Sequence, residues 1–426
     1  MRKKRFTTIF FIGLIIFGLQ EIFAADTETG FVSLFNGKDL TGWTVKGGSG
    51  TFKVEDGVIV GECVPNTPHN TFLCTEKEYG DFILKLEFKM DVSGNSGVQF
   101  RSHVRKKNNR ERVFGYQAEI DHEEDGDTGK IYDEGRRGSQ HGIRFLGQNS
   151  PEIMKKVNET LKQGQWNTLE IQCVGPSIRT WVNGVAAANI FDYYDLSGIL
   201  GLQVHAGKQG KICFRNIRIK DLGKTEWKSF FVKDENGKMK LVNAHFVLPE
   251  EWSFDEKEGF LRGRHNRTQA KDGLVVSDDP YSDFIVKVTY RIFGGNSALY
   301  FRAEEVNTPW LLKGFQNEIA GNEKDSALWH TAGDKTPGRG WVAQNDALVK
   351  KVRQTDDWNT VCTTACGDRI INMINGFTTF DIIDPKCEKT GKVALQLHGN
   401  ADVEMWFKDF QIIVITEEMK KWIHRD

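Results

Sequence analysis

The chain repeats itself once, at a separation of about 200 residues, and this duplication limits what it can fold into. Residues 94–101 read Gly-Asn-Ser-Gly-Val-Gln-Phe-Arg, and residues 295–302 read Gly-Asn-Ser-Ala-Leu-Tyr-Phe-Arg. Further matching segments follow in the same order: 115–120 with 314–319, 166–168 with 358–360, 182–184 with 374–376, and 201–205 with 394–398. The offset falls from 296 − 95 = 201 to 358 − 166 = 192 residues. Repeats of this length predict two homologous domains rather than a solenoid of short units.

The domain boundaries follow from the repeat. We expect a first domain at residues 26–222, a charged linker at 223–240 and a second, diverged domain at 241–426. A chain of 426 residues with 39% hydrophobic content is long enough for two cores. Its formal net charge of −1 does not suggest nucleic acid as a partner, because phosphate binding needs a clear excess of Lys and Arg.

The N-terminus predicts export. Residues 2–5 are basic and precede an apolar run at 9–19, the pattern of a secretory signal peptide that ends near residue 25. A retained membrane anchor is the alternative, but the apolar run is shorter than the ~20 residues that a membrane span needs. We therefore expect a periplasmic or secreted protein with no stable membrane span after cleavage.

The seven cysteines leave their pairing open. Cys63 with Cys74, and Cys362 with Cys366, are close enough in sequence to form disulfides across neighbouring strands, and buried free thiols are the alternative. A zinc site is not indicated, because no Cys-x-x-Cys pair has a second pair of ligands.

The hydrophobic pattern indicates an all-β protein. Residues 84–90 alternate between apolar and charged side chains, as expected for a strand with one buried and one wet face. The pair Asn183-Gly184 is a hairpin turn signal, and 43 glycines against 9 prolines suit a chain rich in turns. Helical periodicity is scarce. The simplest architecture is two tandem jelly-roll β-sandwiches.

Alternation also predicts a polar sheet face. Side chains on a strand point to opposite faces with a period of two residues. With Val98, Phe100, Ala118, Ile120, Leu202 and Val204 directed inward, the opposite face carries seven polar residues: Gln99, Arg101, Gln117, Glu119, Asp121, Gln203 and His205. The matching residues of the second copy are Arg302, Gln316, Glu318, Gln396 and His398. Such a face suits a sugar, although antiparallel sheets often carry a polar face that only meets solvent.

An acidic run follows the second of these strands. Residues 121–127 read Asp-His-Glu-Glu-Asp-Gly-Asp, whose carboxylates are suitable ligands for a divalent cation such as calcium. The run lacks the spacing of an EF-hand, so a plain acidic loop is the alternative. A second basic run, at residues 105–112, is interpreted as a solvated loop.

The ordered motifs resemble those of a known family. They are Leu-Phe-Asn-Gly-Lys-Asp-Leu-Thr-Gly-Trp at 34–43, Tyr-Gly-Asp-Phe at 79–82, Gly-Asn-Ser-Gly at 94–97, Gly-Tyr-Gln-Ala-Glu-Ile at 115–120, Trp-Asn-Thr at 166–168 and Gly-Leu-Gln-Val-His at 201–205. In order and spacing they resemble the 3-keto-disaccharide hydrolase domain family, in two tandem copies. The resemblance implies concanavalin A-like (lectin/glucanase) sandwiches, exported bacterial proteins, and cleavage of glycosides whose sugar is oxidised at C3.

The implied chemistry gives the polar residues roles. A ketone at C3 acidifies the C2 proton, so that a base can remove it and the glycosidic oxygen can leave from C1. The residues expected to be catalytic are Arg101 as enolate stabiliser and Glu119 or His205 as base and leaving-group acid; those expected to bind substrate are Gln99, Gln117, Asp121 and Gln203. The second copy has Ala298, Tyr300 and Ala320 in place of Gly97, Gln99 and Asp121, so the first domain is expected to be the active one.

Three alternatives stay open from the sequence. Glu119 and Asp121 lie two residues apart on one strand, which is a spacing that a conventional pair of glycosidase carboxylates accepts. A lectin-like sandwich also serves as a non-catalytic carbohydrate-binding module. The third alternative combines one catalytic and one binding domain.

Overall fold

The computed structural model describes residues 28–64, 66–90, 94–107, 110–121, 126–147, 150–207, 210–332 and 337–423. It contains two tandem β-sandwiches built from antiparallel sheets, which confirms the predicted fold class. The predicted signal peptide, residues 1–25, lies outside the described residues. Among the described residues, no helix has the length and apolar character needed to cross a membrane.

In the described residues, the first sandwich contains fourteen strands and one helix, α1 (Pro151–Thr160). In chain order the strands are β1 (Val32–Ser33), β2 (Trp43–Gly47), β3 (Thr51–Glu55), β4 (Val58–Glu62), β5 (Thr71–Thr75), β6 (Asp81–Met90), β7 (Asn95–Lys107), β8 (Arg110–Asp121), β9 (Ile131–Glu134), β10 (Asn167–Val174), β11 (Ser177–Val182), β12 (Val185–Phe191), β13 (Ile199–Val204) and β14 (Lys211–Gly223). Its back sheet has the order β12-β11-β10-β6-β14-β4-β3, with β1 added on β14. Its front sheet has the order β2-β5-β13-β7-β8-β9.

The second sandwich repeats this plan. Its helices are α2 (Asp346–Val352) and α3 (Glu417–Ile423), with a 3-10 turn at Pro249–Glu251. Its strands are β15 (Lys228–Ser229), β16 (Phe231–Lys233), β17 (Met239–Leu241), β18 (Ala244–Val247), β19 (Trp252–Asp255), β20 (Phe260–His265), β21 (Gly273–Ser277), β22 (Phe284–Gly294), β23 (Ser297–Glu305), β24 (Leu312–Ile319), β25 (Leu328–Thr331), β26 (Gly340–Ala343), β27 (Asn359–Cys366), β28 (Arg369–Ile374), β29 (Phe377–Ile383), β30 (Lys392–Leu397) and β31 (Val403–Val414). The back sheet is β19-β20-β31-β22-β27-β28-β29, and the front sheet is β18-β21-β30-β23-β24-β25-β26.

The predicted linker at residues 223–240 is folded, so that prediction is wrong. β15 pairs with β31 just as β1 pairs with β14, and the β16–β17 hairpin packs its Phe231 and Met239 into the second core. The second sandwich therefore begins near Lys228. The sequence conceals this start because its pairing partner, β31, lies about 180 residues further along the chain.

The alternation that predicted β6 is present in the structure. Leu84, Leu86, Phe88 and Met90 are buried in the first core, whereas the charged residues between them are only half-buried. The inward residues of β7, β8 and β13 occupy the same core from the opposite sheet. Burial of these apolar side chains between the two sheets stabilises each sandwich.

Both front sheets contain the same β-bulge, and it redirects an arginine. In β7 the pairing with β8 runs in register as far as Phe100, and then Arg101 and Ser102 together oppose Gly115. Arg101 has a φ of +44°, which turns its side chain out of the alternation. The second copy repeats this at Arg302, whose φ is +47°. The prediction that Arg101 shares a face with Gln99 is therefore wrong.

Arg101 holds the two sheets of the first sandwich together. It is 0% exposed, and it donates to the carbonyl of Gly80 at 2.9 Å, to the carbonyl of Gly175 at 2.6 Å and to Asp81 Oδ1 at 2.8 Å. All three partners belong to the back sheet or its turns. Gly198 packs against the bulge so closely that a Cβ there would lie 2.5 Å from the backbone carbon of Arg101.

Arg302 makes the equivalent contacts in the second sandwich. It donates to the carbonyls of Ser282 and Gly367 and to Asp283, at 2.7, 2.8 and 3.0 Å. The arginine therefore recurs in both copies because both folds need it.

The two sandwiches share an interface. Phe191 and Tyr193 of the first pack with Ile285 and Met373 of the second in one buried apolar cluster. Arg137 donates to the carbonyl of Gly376 at 2.6 Å, which adds a buried polar contact across the same boundary. The terminal helix α3 also contacts the first sandwich, because the carbonyl of Trp422 accepts from Gln172 at 2.8 Å and that of Ile423 from Arg179 at 3.2 Å.

The cysteines are free thiols in this structure. Cys63 is half-buried and donates to the carbonyl of His205, at 3.0 Å, rather than pairing with Cys74. Cys362 and Cys366 are buried, and the same holds for Cys173, Cys213 and Cys387. Burial raises the pKa of Cys74 to about 12, so this thiol stays protonated at neutral pH.

We predict that Arg101→Ala lowers the free energy of unfolding by about 3–5 kcal/mol, because it leaves Asp81 buried without its counter-charge. Urea unfolding followed by fluorescence measures the change. Arg215→Ala is the matched control: it removes a half-exposed pair with Glu87 and should cost less than about 1 kcal/mol. If Arg101→Ala instead kept wild-type stability and lost only a catalytic activity, Arg101 would have a catalytic role rather than a structural one.

Candidate active site

A line of hydrogen-bonded side chains crosses the outer face of the first front sheet. Ser102 donates to Gln99 Oε1 at 2.6 Å, Gln99 Nε2 donates to Gln117 Oε1 at 2.7 Å, and Gln117 Nε2 donates to Glu119 Oε1 at 2.7 Å. Asn95 Nδ2 donates to the other carboxylate oxygen of Glu119 at 2.9 Å. Each amide in this line is oriented by its neighbours, so the carboxyl group of Glu119 is held in one position.

This face is covered rather than open to solvent. Beyond the bulge, residues 103–107 and 110–114 of the β7–β8 hairpin form an arm that bends over the front sheet. Val113 on the arm packs against Phe72 and Cys74 of β5, and Glu111 forms a 3.3 Å ion pair with Lys46 of β2. The described part of the basic run, residues 105–107 and 110–112, therefore lies in strands, so its interpretation as a loop is wrong, although its basic residues Arg105, Lys106, Arg110 and Arg112 are exposed to solvent as expected. Under the arm the polar line is almost fully buried.

Gln203 lies on the same face and keeps an unsatisfied acceptor. Its strand β13 is the neighbour of β7, and Gln203 is 1% exposed. Its Oε1 has no hydrogen-bond partner within the described part of the chain. A buried acceptor without a partner costs free energy, and a ligand hydroxyl or a water molecule would satisfy it.

Gly97 makes room for the line of amides. A Cβ at this position would lie 2.5 Å from Cδ of Gln117, so the side chain of Gln117 rests directly on the backbone of Gly97. Only a residue without a side chain allows Gln117 to lie between Gln99 and Glu119.

Glu119 has the properties of an acid–base group. Burial raises its pKa from 4.5 to about 7, and the hydrogen bonds from Asn95 and Gln117 oppose that rise only in part. A carboxyl group with a pKa near neutrality exchanges a proton readily at physiological pH. Glu119 is 4% exposed, while its neighbour Asn95 is half-exposed, so the site opens at the end of the sheet where Asn95 lies.

His205 lies at the same end of the face, two residues beyond Gln203. It is half-buried, and its Nδ1 is 2.8 Å from the carbonyl oxygen of Ala206. A carbonyl only accepts, so Nδ1 carries the proton and Nε2 of the neutral ring keeps its lone pair. His205 forms no hydrogen bond with Glu119 among the contacts of the described residues.

Asp121 lies at the end of β8, where the acidic run begins. Its carbonyl accepts from Thr128 Oγ1 at 2.8 Å. Of the acidic run, residues 122–125 lie outside the described residues, while Asp127 forms ion pairs with Lys130 at 2.6 Å and with Arg144 at 3.4 Å. Within the described ranges, no group of three or more His, Cys, Asp or Glu side chains could hold a metal ion.

The second sandwich keeps the carboxyl group but loses the line of amides. Burial raises the pKa of Glu318 to about 7, and Asn296 lies 3.4 Å from it. Ala298 occupies the place of Gly97, and Tyr300 that of Gln99. Gln396 donates to Asp272 at 2.7 Å and contacts the hydroxyl of Tyr300 at 3.4 Å.

The remaining predicted residues of the second copy are Gln316 and His398. Gln316 is buried on the same face as Glu318, next to Tyr300. His398 is exposed, and its Nδ1 contacts the carbonyl of Gly399 at 2.7 Å, as His205 contacts Ala206. The structure therefore brings the predicted amides and carboxyl group together fully only in the first sandwich.

Beside the line of amides lies a cleft that sequence reasoning did not predict. It encloses about 800 Å³ between the arm, the segment 68–70 and the end of β9. Asn70 hydrogen-bonds Glu134 and accepts from the backbone N–H of Ala206 at 2.9 Å, so it joins the walls. The only sequence signal for the cleft was the basic run of the arm.

Comparison with known proteins identifies the family of the chain. The 3-keto-alpha-glucoside-1,2-lyase-like domain matches residues 30–220 and again residues 225–413. The chain belongs to this family. The second match begins before residue 241, in agreement with the folded segment that opens the second sandwich. A search of curated proteins gives no match.

Three solved structures that resemble the chain each align with less than half of it. A candidate glycosyl hydrolase from Parabacteroides distasonis is 24% identical, with 46% of this chain and 94% of that chain aligned at a TM-score of 0.32. The carbohydrate-binding module CBM66 from Bacillus subtilis is 16% identical, with 45% and 100% aligned at a TM-score of 0.31. The lumenal domain of VIP36, solved with Ca²⁺ and Man3GlcNAc, is 12% identical, with 47% and 98% aligned at a TM-score of 0.31.

We predict that Glu119 makes the protein less stable as pH rises. Because its folded pKa, about 7, lies above the usual 4.5, the folded chain keeps this proton longer than the unfolded chain. Relative to Glu119→Gln, the wild type should lose up to about 3 kcal/mol of unfolding free energy between about pH 4 and about pH 8. Urea unfolding at a series of pH values measures it. Parallel curves for the two proteins would refute the raised pKa.

Proposed function

We propose that the first sandwich cleaves 3-keto-glycosides by elimination followed by hydration, with Glu119 as the group that moves the proton. The observation that carries the proposal is the buried carboxyl group of Glu119, which has a pKa of about 7 and is held by two amide donors on the face of the front sheet. The chain belongs to the family of 3-keto-alpha-glucoside-1,2-lyase-like domains, which points to the substrate. We also propose that the protein is exported, on the strength of the signal-like sequence at residues 1–25.

The reaction needs few groups from the protein. A base removes the proton from C2, and the electron pair that held it forms the C1=C2 double bond while the C1–O bond to the aglycone breaks. The aglycone oxygen takes a proton as it leaves. Addition of water across C1=C2 then gives the free 3-keto sugar. The ketone at C3 makes the first step accessible, because it delocalises the negative charge that develops.

The side chains of the face divide these tasks. In the ionised form, Glu119 takes the C2 proton, and the acid so formed is able to return it. His205, with a lone pair on Nε2 and a position at the open end, is the second proton-transfer group. Gln99, Gln117, Gln203 and Asp121 bind sugar hydroxyls, and Gln203 Oε1 is the acceptor that a hydroxyl would satisfy.

Arg101 has no part in this step. Its guanidinium group is buried on the other side of the bulge and is occupied by the back sheet. The enolate oxygen therefore needs another donor, and the amide N–H groups of Asn95 and Gln203 are candidates on this face.

The proposal is tested with a 3-keto-α-glucoside and, as a control substrate, the same glucoside without oxidation. We expect cleavage of the first only, and Glu119→Gln should lower kcat/KM by about 10²-fold or more, as is usual for loss of an acid–base group. Glu318→Gln makes the same change in the second copy and should retain activity. Reaction in D2O should place deuterium at C2 of the product, which a conventional displacement at C1 does not do.

Other results would overturn parts of the proposal. Cleavage lost in Glu318→Gln but kept in Glu119→Gln would mean that the active copy is the second. Cleavage of both substrates without deuterium at C2 would indicate a conventional glycosidase. Binding of either glucoside without turnover would indicate a carbohydrate-binding module.

A further inference from the structure

The cleft under the arm carries more positive than negative charge. Its lining includes four cationic side chains, at Arg105, Lys106, Arg110 and Arg112, and two carboxyl groups, at Glu111 and Glu134. All four cationic residues are exposed to solvent. A cleft of about 800 Å³ has the size of a site for a small organic ligand.

Neither carboxyl group of the cleft forms an ion pair with Arg105 or Arg110. Glu111 is shared by Lys46 at 3.3 Å and Lys106 at 3.8 Å, and Glu134 lies 3.6 Å from Arg112. Arg105 instead donates to the carbonyl of Gly135 at 2.8 Å, and Arg110 contacts the ring of His69. In the part of the chain described by the structure, these last two guanidinium groups have no carboxylate partner.

Glu134 adds to this imbalance. Desolvation raises the pKa of Glu134, and the nearby Arg112 and the hydrogen bond from Asn70 offset the rise only in part. Glu134 therefore keeps its proton more readily in the cleft than it would in water. When Glu134 is neutral, Arg112 also lacks a counter-charge.

The equivalent hairpin of the second sandwich carries acidic rather than basic residues directly after its bulge. This hairpin is shorter, with strands that end at Glu305 and resume at Leu312, and the positions after its bulge are Glu304 and Glu305. Glu304 pairs with Lys313 of the same hairpin at 3.3 Å, and Glu305 lies 3.9 Å from Lys392 of β30. The basic arm is therefore confined to the sandwich that also carries the complete line of amides.

The cleft continues from the candidate active site. Phe72, in its lining, pairs with Gln203 across β5 and β13, and Ala206 is the residue after His205. A sugar held at Glu119 and Gln203 would direct the group attached at C1 toward this cleft or away from it along the same sheet face. On the side of the cleft, the guanidinium groups of Arg105 and Arg110 would favour an anionic group over a neutral or cationic one.

We propose that this cleft binds an anionic group, a carboxylate or a sulfate or phosphate ester, carried by the aglycone of the substrate. Arg105 and Arg110 bind it through charge-assisted hydrogen bonds, which arginine forms in pairs with such planar or tetrahedral anions. The inference rests on the proposed function for the position of the sugar, and it names the substrate class as 3-keto-glycosides with an acidic aglycone.

The first test compares aglycones of equal size. Aryl 3-keto-glucosides that carry a hydroxymethyl, a carboxylate or a sulfate ester at the same ring position are cleaved by wild type, Arg110→Ala and the Arg105→Ala/Arg110→Ala double variant. We expect a preference of about tenfold in kcat/KM for an anionic aglycone, falling with added salt and lost in the double variant. Arg264→Ala removes an exposed positive charge from the second sandwich and should keep the preference. Equal kcat/KM for neutral and anionic aglycones in wild type would overturn the proposal.

The second test separates this inference from the proposed function. Calorimetric titration with the unoxidised aryl glucosides measures binding without turnover. Tighter binding of the anionic forms that disappears in Arg110→Ala supports the cleft, even if no 3-keto-glycoside is cleaved. Cleavage of 3-keto-glycosides together with equal binding of neutral and anionic forms would refute the cleft and leave the proposed function standing. The comparison of carboxylate with sulfate identifies which anion the site prefers. Arg110 is exposed, so its replacement does not endanger folding.

Discussion

The arrangement of each sandwich depends on one buried ion pair between its two sheets. Arg101 reaches from the front sheet to Asp81 and two carbonyl groups of the back sheet, and Arg302 does the same with Asp283. A buried charge is tolerated only when its partners compensate it fully, and a non-glycine residue at positive φ adds its own cost. Both copies accept these costs at the same position. The contact also fixes the bulge, because the guanidinium group reaches its partners only from the turned backbone.

The bulge in turn determines the environment of the Glu119 carboxyl group. Past Arg101 the hairpin leaves the plane of the front sheet, and in the first copy its arm is long enough to reach β2 through Glu111 and Lys46. The polar line beneath the arm is thereby removed from water. Desolvation is the largest cause of the raised pKa of Glu119, so the chemistry available at this face follows from a fold feature some distance away.

Sequence reasoning recovered the fold and most of the polar face because both depend on alternation. Gln99, Gln117, Glu119 and Gln203 do share one face, and the amides contact each other as neighbouring strands require. Arg101 was misplaced because alternation assumes an unbroken strand, and no glycine or proline marks the bulge within β7. Three features were not predicted: the arm that covers the face, the cleft, and the start of the second sandwich. Each depends on contacts between residues that are distant in sequence, which the local alternation of side chains does not reveal.

The two copies together show which shared residues relate to folding and which differences relate to chemistry. Recurrence of Arg101 as Arg302 invites a functional interpretation, yet both are structural. Glu119 recurs as Glu318 with a similarly raised pKa, so a buried carboxyl group alone does not distinguish the copies. What differs is the support around it: Gly97 leaves space for Gln117 to donate to Glu119, whereas Ala298 and Tyr300 occupy that region in the second copy. An acid–base group acts only if it is held in one orientation toward its substrate. The divergence around Glu318, rather than its loss, is therefore the reason to assign the reaction to the first sandwich.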